Sequence, residues 1–256
     1  MYEGDYGCEL GRYFPDSAGP KAQSQVAVVI PTMLRPCLET ALRSVYAQEG
    51  VGRVQIMIGI DRPGDPATLY RVLEDRPANM SALVLTLPYS TSVRHGGPHT
   101  ATDGGALRAI LSFMANTRYV AYLDDDNTWF PDHLKNLLAA IEGKVWAFSR
   151  RILVDEETGR ELAVDRWDSV GANKGRLAAI GGLVDPSCLL INKVVVARVL
   201  GRWSETADGS LSDAADRHFF AAIRNTPHGA VQQATVRYSI RRDNILHKIM
   251  AEGIEY

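Results

Sequence analysis

Val26-Ala27-Val28-Val29-Ile30 is a continuous apolar run, mostly β-branched, closed by Pro31-Thr32. Such a run keeps no polar face for water. It suits a strand covered on both sides, which means a parallel sheet between layers of helices. The same pattern returns at Val54 to Ile60, at Ala82 to Leu87 and at Tyr119 to Leu123. Helical spacing fills the gaps. Residues 36–48 place Leu38, Leu42, Val45 and Tyr46 on one face, residues 66–75 read as a second helix, and Leu107, Ile110, Leu111 and Met114 mark a third. Pro131 opens a fourth helix through Ile141, proline being well placed in a first turn. Strands alternating with helices give an α/β fold with a mostly parallel sheet.

The second half is less regular. Residues 145–154 and 161–167 form a hairpin pattern around Glu157-Thr158-Gly159, and helices fit 193–200 and 213–224. With 256 residues and no repeat or linker, one domain is the simpler division. Residues 1–24 read as a tail or loose strap before a domain spanning 25–256. Its first half, 25–127, is of nucleotide-binding type, and 128–256 is more variable.

Charge narrows the partners. Lys plus Arg number 28 against 30 Asp plus Glu, which argues against a dedicated nucleic-acid binder. Cys8, Cys37 and Cys188 make no metal spacing and read as reduced thiols. No run is long and apolar enough to cross a membrane. The expected location is cytoplasmic, with contact at the inner face of a membrane left open.

Ligands of open parallel sheets bind beyond the carboxyl ends of the strands. Polar groups stand at three such ends: Thr32 with Arg35, Asp61, and Asp124 to Asn127. Adjacent carboxylates after a buried strand repel one another unless a cation relieves them. Mn²⁺ or Mg²⁺, a hard ion with oxygen ligands, could do so and bridge to a diphosphate. An acidic turn capping the helix at Pro131 is the plainer alternative. No GxGxxG and no phosphate-binding GxxxxGK[ST] motif occurs.

These segments together resemble the family 2 glycosyltransferases of GT-A fold. The opening strand through Thr32 and the strand ending in Asp61 match the start of that family. His95 to Gly105 follows its Gly-Pro segment, with Gly97, Pro98, Ala101, Gly105 and Ala109 in register. Tyr122-Leu123-Asp124-Asp125-Asp126-Asn127-Thr128-Trp129-Phe130-Pro131-Asp132 is similar to its DxD segment. Val184-Asp185-Pro186-Ser187-Cys188, Gly201-Arg202-Trp203 and Asp216-Arg217-His218-Phe219-Phe220 add to the match, especially to spore-coat polysaccharide transferases. The resemblance runs over roughly residues 25–225.

It implies an inverting, metal-dependent transfer from a UDP- or dTDP-sugar to a hydroxyl of a glycan, glycolipid or small glycoside. Pro31, Thr32 and Arg35 would line the nucleotide pocket, and Asp61 would accept a hydrogen bond from the base. Asp124 and Asp125 would contact ribose or metal, and Asp126 would hold the metal. Asp216 would be the general base, with Asp213, three residues earlier, as the alternative. Asp185 and Trp203 fall on the acceptor side. Thr102 and Asp103 replace a common Arg-Asn pair, so Arg94 is the candidate for a diphosphate contact. The basic stretch with Arg237, Arg241, Arg242, His247 and Lys248 reads either as a flap over the diphosphate, with His247 as a metal ligand, or as a solvated helix end.

Two other readings fit some of these residues. Asp124-x-Asp126-x-Thr128 matches the first motif of haloacid-dehalogenase-type phosphatases, with Asp124 as nucleophile. That motif normally follows the first strand of a core, and here nearly half of the chain precedes it. The other reading is a catalytically silent GT-A domain that only binds nucleotide.

Overall fold

The computed structural model describes residues 11–62, 64–99, 104–205 and 215–253. The strands are β1 (Gly11–Phe14), β2 (Val26–Thr32), β3 (Val54–Ile60), β4 (Met80–Thr86), β5 (Tyr119–Tyr122), β6 (Thr128–Trp129), β7 (Trp146–Asp155), β8 (Glu161–Val164), β9 (Gly171–Ala172), β10 (Gly182–Leu183), β11 (Leu189–Asn192) and β12 (His228–Ile240). The helices are α1 (Leu38–Tyr46), α2 (Ala67–Glu74), α3 (Gly105–Met114), α4 (His133–Ala140), α5 (Ala215–Ile223) and α6 (Ile245–Glu252).

The main sheet runs β1-β4-β3-β2-β5-β11-β7-β12-β6, with β8 paired to β7. β4, β3, β2 and β5 are mutually parallel, and β12 runs parallel to β7 along almost its whole length. The chain builds β2, β3 and β4 outward in one direction. It then returns through α3 to lay β5 on the other side of β2, so the strand order reverses between β2 and β5. That reversal opens a crevice beyond their carboxyl ends.

Burial follows the sequence pattern. Val26 through Ile30 have no solvent exposure, as expected of strands covered on both faces. α1 turns Leu38, Ala41, Leu42 and Val45 inward, and α2 turns Leu69, Val72 and Leu73 inward. Each buried leucine or valine contributes about 1.5–3 kcal/mol by leaving water. A charge at Val28 would break the sheet at its centre.

Several expectations are adjusted. Within the segment read as a strap, Gly11–Phe14 pairs antiparallel with β4 as an edge strand. The hairpin around Gly159 is present as β7 and β8, with Gly159 in a left-handed turn. The helix expected at 193–200 is instead a turn followed by a 3-10 helix at Ala197–Ser204. Three consecutive valines, Val194 to Val196, disfavour an α-helix there. On α3, Leu107 and Leu111 are buried, but Ile110 and Met114 are exposed. The inward face instead carries Arg108 and Ser112, whose polar groups find partners inside. The C-terminal stretch holds the longest strand, β12, which the sequence reading did not anticipate.

Candidate functional site

The crevice collects the expected groups from β2, β3 and β5. Thr32 Oγ1 donates to Asp125 Oδ2 at 2.6 Å and accepts the Leu34 amide at 2.9 Å. Leu34 sits in the left-handed region at φ 59°, a conformation that costs a branched residue energy and often marks a functional turn. The turn carries Arg35 over the acidic loop. Its Nε donates to Asp125 Oδ1 at 3.0 Å, with Nη2 on the same oxygen, and Nη1 lies 3.1 Å from Asp126 Oδ2. Arg108 reaches from α3 to pair with Asp124. Two guanidinium groups thus face three carboxylates. Burial raises the Asp126 carboxyl above its ordinary range, Asp124 and Asp125 add to that, and Arg35 opposes it.

The Asp61 carboxylate is buried at the end of β3 and organises the next loop. Its Oδ1 accepts both the Thr91 amide at 2.9 Å and the Thr91 hydroxyl at 2.6 Å, while Oδ2 has only a long 3.4 Å contact from Ser90. Gly97 packs so closely on the backbone of Ser90 and Thr91 that a Cβ there would collide with it. Pro31 lies under Gly104, and the backbone of Trp203 lies on Gly105, where no larger residue fits. Beside Arg35 a cavity of about 300 Å³ opens between α1 and α2, walled by Leu34, Leu38, Asp65, Thr68 and Leu69.

Behind the acidic loop lies a second network. Arg151, 1% exposed, reaches Asp165 at 2.8 Å, Asp185 at 2.7 Å and Asp168 at 3.3 Å, and its guanidinium carbon stands 3.8 Å over the Tyr238 ring. Asp185 Oδ1 accepts the Ser187 amide at 2.9 Å, capping the turn Pro186–Cys188. Ser187 Oγ then takes the Asp124 amide at 3.3 Å and the Asn127 side-chain amide at 2.9 Å, and its carbonyl accepts Trp129 Nε1 at 2.8 Å. Asn127 Oδ1 accepts the Ser239 amide of β12 at 3.0 Å. The acidic loop is therefore fixed from both sides. Burial pushes the Asp185 carboxyl up to about 7, against the pull of Arg151, with Asp124 and Asp216 adding negative charge nearby. That coupling places Asp216, in the first turn of α5, within electrostatic range of this cluster.

Other expected positions differ. Asp185 has no open face for an acceptor, because its oxygens are occupied by Arg151 and the turn it caps. Trp203 is 1% exposed; its ring stacks on Phe219 at 4.3 Å and its Nε1 donates to Tyr122. Neither ring face is open to a sugar. Arg94 points to solvent from the turn at Val93–His95. His247 lies on α6 close enough to act on Asp155, and among the described residues no group of three or more His, Cys, Asp or Glu is gathered as a metal cage. His247 therefore does not join Asp124 and Asp126. Arg237, Arg241 and Arg242 pair with Glu161, Glu156 and Glu157 of the β7–β8 hairpin rather than reaching the crevice. Asp103 and Asp213 lie outside the described residues.

Arg108, Arg151, Ser187 and Thr91 complete the network without a strand-end motif that marks them. The arginine pair Arg150-Arg151 between Phe148 and Ile152 was the available signal for Arg151, since the one that turns inward needs buried anions.

A divalent cation fits this chemistry. Burial and the neighbouring Asp124 disfavour a bare charge on Asp126 despite Arg35, and Asp124 and Asp126 both keep about a quarter of their side-chain surface exposed. Hard carboxylate oxygens suit Mg²⁺ or Mn²⁺.

No family model and no curated protein matches the chain in sequence. Solved structures do match in shape. TarS 1–349 of S. aureus in complex with UDP-GlcNAc superposes with a TM-score of 0.62 at 15% identity, over 86% of this chain and 60% of that one. The mannosyltransferase PcManGT of Pyrobaculum calidifontis, in complex with GDP-Man and Mn²⁺, gives 0.56 at 15% identity, over 93% and 62%. The chain thus spans about three-fifths of the length of each. Its mixed α/β architecture, with a mostly parallel sheet flanked by helices, is the GT-A fold of these structures.

Proposed function

We propose that the protein is a glycosyltransferase that takes a sugar from a nucleotide diphosphate and passes it to an acceptor hydroxyl. The observation that carries this reading is the convergence of Thr32, Arg35, Asp61 and the Asp124–Asp126 loop at the reversal point of the sheet, in a fold whose solved examples hold UDP-GlcNAc and GDP-Man.

In this reading the nucleotide lies along the carboxyl ends of β2 and β3. Pro31, Leu34 and the neighbouring cavity border the base, and Asp61 Oδ2, which carries the weaker of that carboxylate's contacts, accepts an N–H from a uracil or thymine. Asp125, locked by Thr32 and Arg35, positions the ribose side. Asp124 and Asp126 would hold Mn²⁺ or Mg²⁺, which when bound acts as a Lewis acid toward the diphosphate. Arg35 then has to yield part of its hold on Asp126.

Asp216 accepts the proton of the acceptor hydroxyl. The acceptor oxygen bonds to the anomeric carbon from the face opposite the nucleotide. The bond from that carbon to the diphosphate oxygen breaks, and the nucleotide diphosphate leaves with the electron pair. A single displacement inverts the configuration. The acceptor is a glycan, glycolipid or small glycoside, as in polysaccharide biosynthesis.

Calorimetric titration of UDP, dTDP, GDP and CDP, each with and without Mn²⁺, tests the donor half. Selective binding of UDP or dTDP strengthened by Mn²⁺ is expected, and no binding of any of the four would overturn the proposal. Asp216→Asn is expected to retain that binding and to lose donor turnover. Retained turnover would move the base to Asp213. An aspartyl-phosphate on Asp124 would instead establish the phosphatase chemistry; the ion pair with Arg108 speaks against it. Tight binding with neither transfer nor hydrolysis would leave a silent domain.

A further inference from the structure

The face of α3 turned away from the sheet is apolar. Ile110, Phe113 and Met114, spaced along one side of the helix, are 42, 57 and 47% exposed, and Val194 and Val195 are 63 and 59% exposed. These five make up nearly half of the large apolar side chains that face water among the described residues. Lys193 holds the two segments side by side: its ammonium donates to the carbonyls of Ser112 at 3.1 Å and Phe113 at 3.3 Å, and to that of Ala115. The Lys193 amide bonds to the Arg118 carbonyl.

The two segments that carry these side chains hold cations and no acids of their own. No Asp or Glu occurs between Gly104 and Val120 or between Leu189 and Ser204, although the chain carries a net charge of −2. Those two segments hold Arg108, Arg118, Lys193, Arg198 and Arg202. Arg108 is buried against Asp124 and Arg202 pairs with Glu205, while Arg118 and Arg198 are exposed beside the apolar patch.

We propose that this surface docks the protein onto an anionic lipid bilayer. Large apolar side chains rimmed by cations, with acids excluded, match the boundary between acyl chains and negatively charged headgroups. A protein partner of ordinary mixed charge would not call for that exclusion. The placement also works sterically. α3 starts at the crevice, where Arg108 meets Asp124, and ends at Met114, at the opposite ends of the parallel strands. Docking by the far end of α3 leaves the acidic crevice open to solvent.

Sedimentation with vesicles of phosphatidylcholine, alone or mixed with phosphatidylglycerol, tests it. The parent should pellet with the mixed vesicles and not with phosphatidylcholine alone, and added salt should release it. Arg118→Gln and Arg198→Gln should each weaken binding about fivefold. Phe113→Ser with Val194→Ser should weaken it by roughly tenfold or more. The two single variants and the double variant should leave the melting temperature unchanged, the side chains being exposed. Failure to pellet with the mixed vesicles, or pelleting that the variants do not alter, would overturn the proposal. So would a parent dimer in sedimentation velocity that Phe113→Ser with Val194→Ser dissolves, because a second copy would then be the occupant. Nucleotide binding, read on the same variants, reports on the donor site separately.

Discussion

Arg151→Met removes the cation at the centre of the buried network and keeps most of its volume. Asp165 has no exposed side-chain surface and Asp185 only 8%. Losing one partner of a buried ion pair costs about 3–5 kcal/mol, because the remaining charge has neither water nor a counter-ion. For a chain of this size that is a fall in melting temperature of about 6–20 °C. The pH dependence separates this mechanism from a packing defect. Folding already raises the Asp185 carboxyl from its ordinary value to about 7. Its contribution to stability is therefore complete below about pH 4 and is lost as pH rises through 7. Without Arg151 the carboxyl moves higher, so the loss continues above pH 7 at about 1.4 kcal/mol per pH unit until the group ionises. Urea unfolding followed by tryptophan fluorescence at pH 6 and pH 8 measures both terms. The gap between variant and parent should be at least about 1 kcal/mol wider at pH 8. A variant within 1 kcal/mol of the parent at both values, or a gap that widens toward acid, would refute the reasoning.

Asp126→Ala should abolish any Mn²⁺-dependent gain in nucleotide affinity, measured by calorimetry; an unchanged gain would remove Asp126 from the metal site. Burial lowers the His133 ring to about 3, where it stacks on Trp129 and shares a hydrogen bond with Thr235. The unfolded chain therefore binds a proton that the folded one refuses, and this residue costs stability as pH falls from about 6.5 toward 3. An NMR titration should find the ring neutral at pH 5, and a midpoint near 6.5 would contradict its burial. Trp203→Ala should destabilise by about 3–5 kcal/mol in thermal unfolding, as expected for a stacked core indole; a cost confined to turnover would return Trp203 to the acceptor side.

The first half of the chain was legible because its signals are local. Val26 to Ile30, Val54 to Ile60 and the acidic loop after Tyr122 announce buried strands and polar strand ends within a few residues of sequence. The second half depends on distant partners. The 10-residue β7 and 13-residue β12 run parallel, but Arg150, Arg151, Arg237 and the glutamines of β12 blur their hydrophobic periodicity. Asp185 and Trp203 were placed by motif position. A motif reports neither which way a carboxylate turns nor what covers an indole, and Arg151 and Phe219 decide those questions here. Helical spacing marks α3 but does not say which apolar residues turn inward, and the helix divides them between the core and its outer surface.

The acidic loop is held by residues far away along the chain. Thr32 grips Asp125 across 93 positions, Ser187 grips Asn127 across 60, and Ser239 closes on Asn127 across 112. Contacts of such separation form late, because each must first close a long loop. During synthesis, β2, β3 and β4 can pair as soon as they emerge, whereas the loop waits for β12. A nascent chain halted before Ser239 would own folded strands β2, β3 and β4 with an unfinished acidic mouth. Competence to bind would then arrive abruptly, with the last strand, rather than growing in step with length.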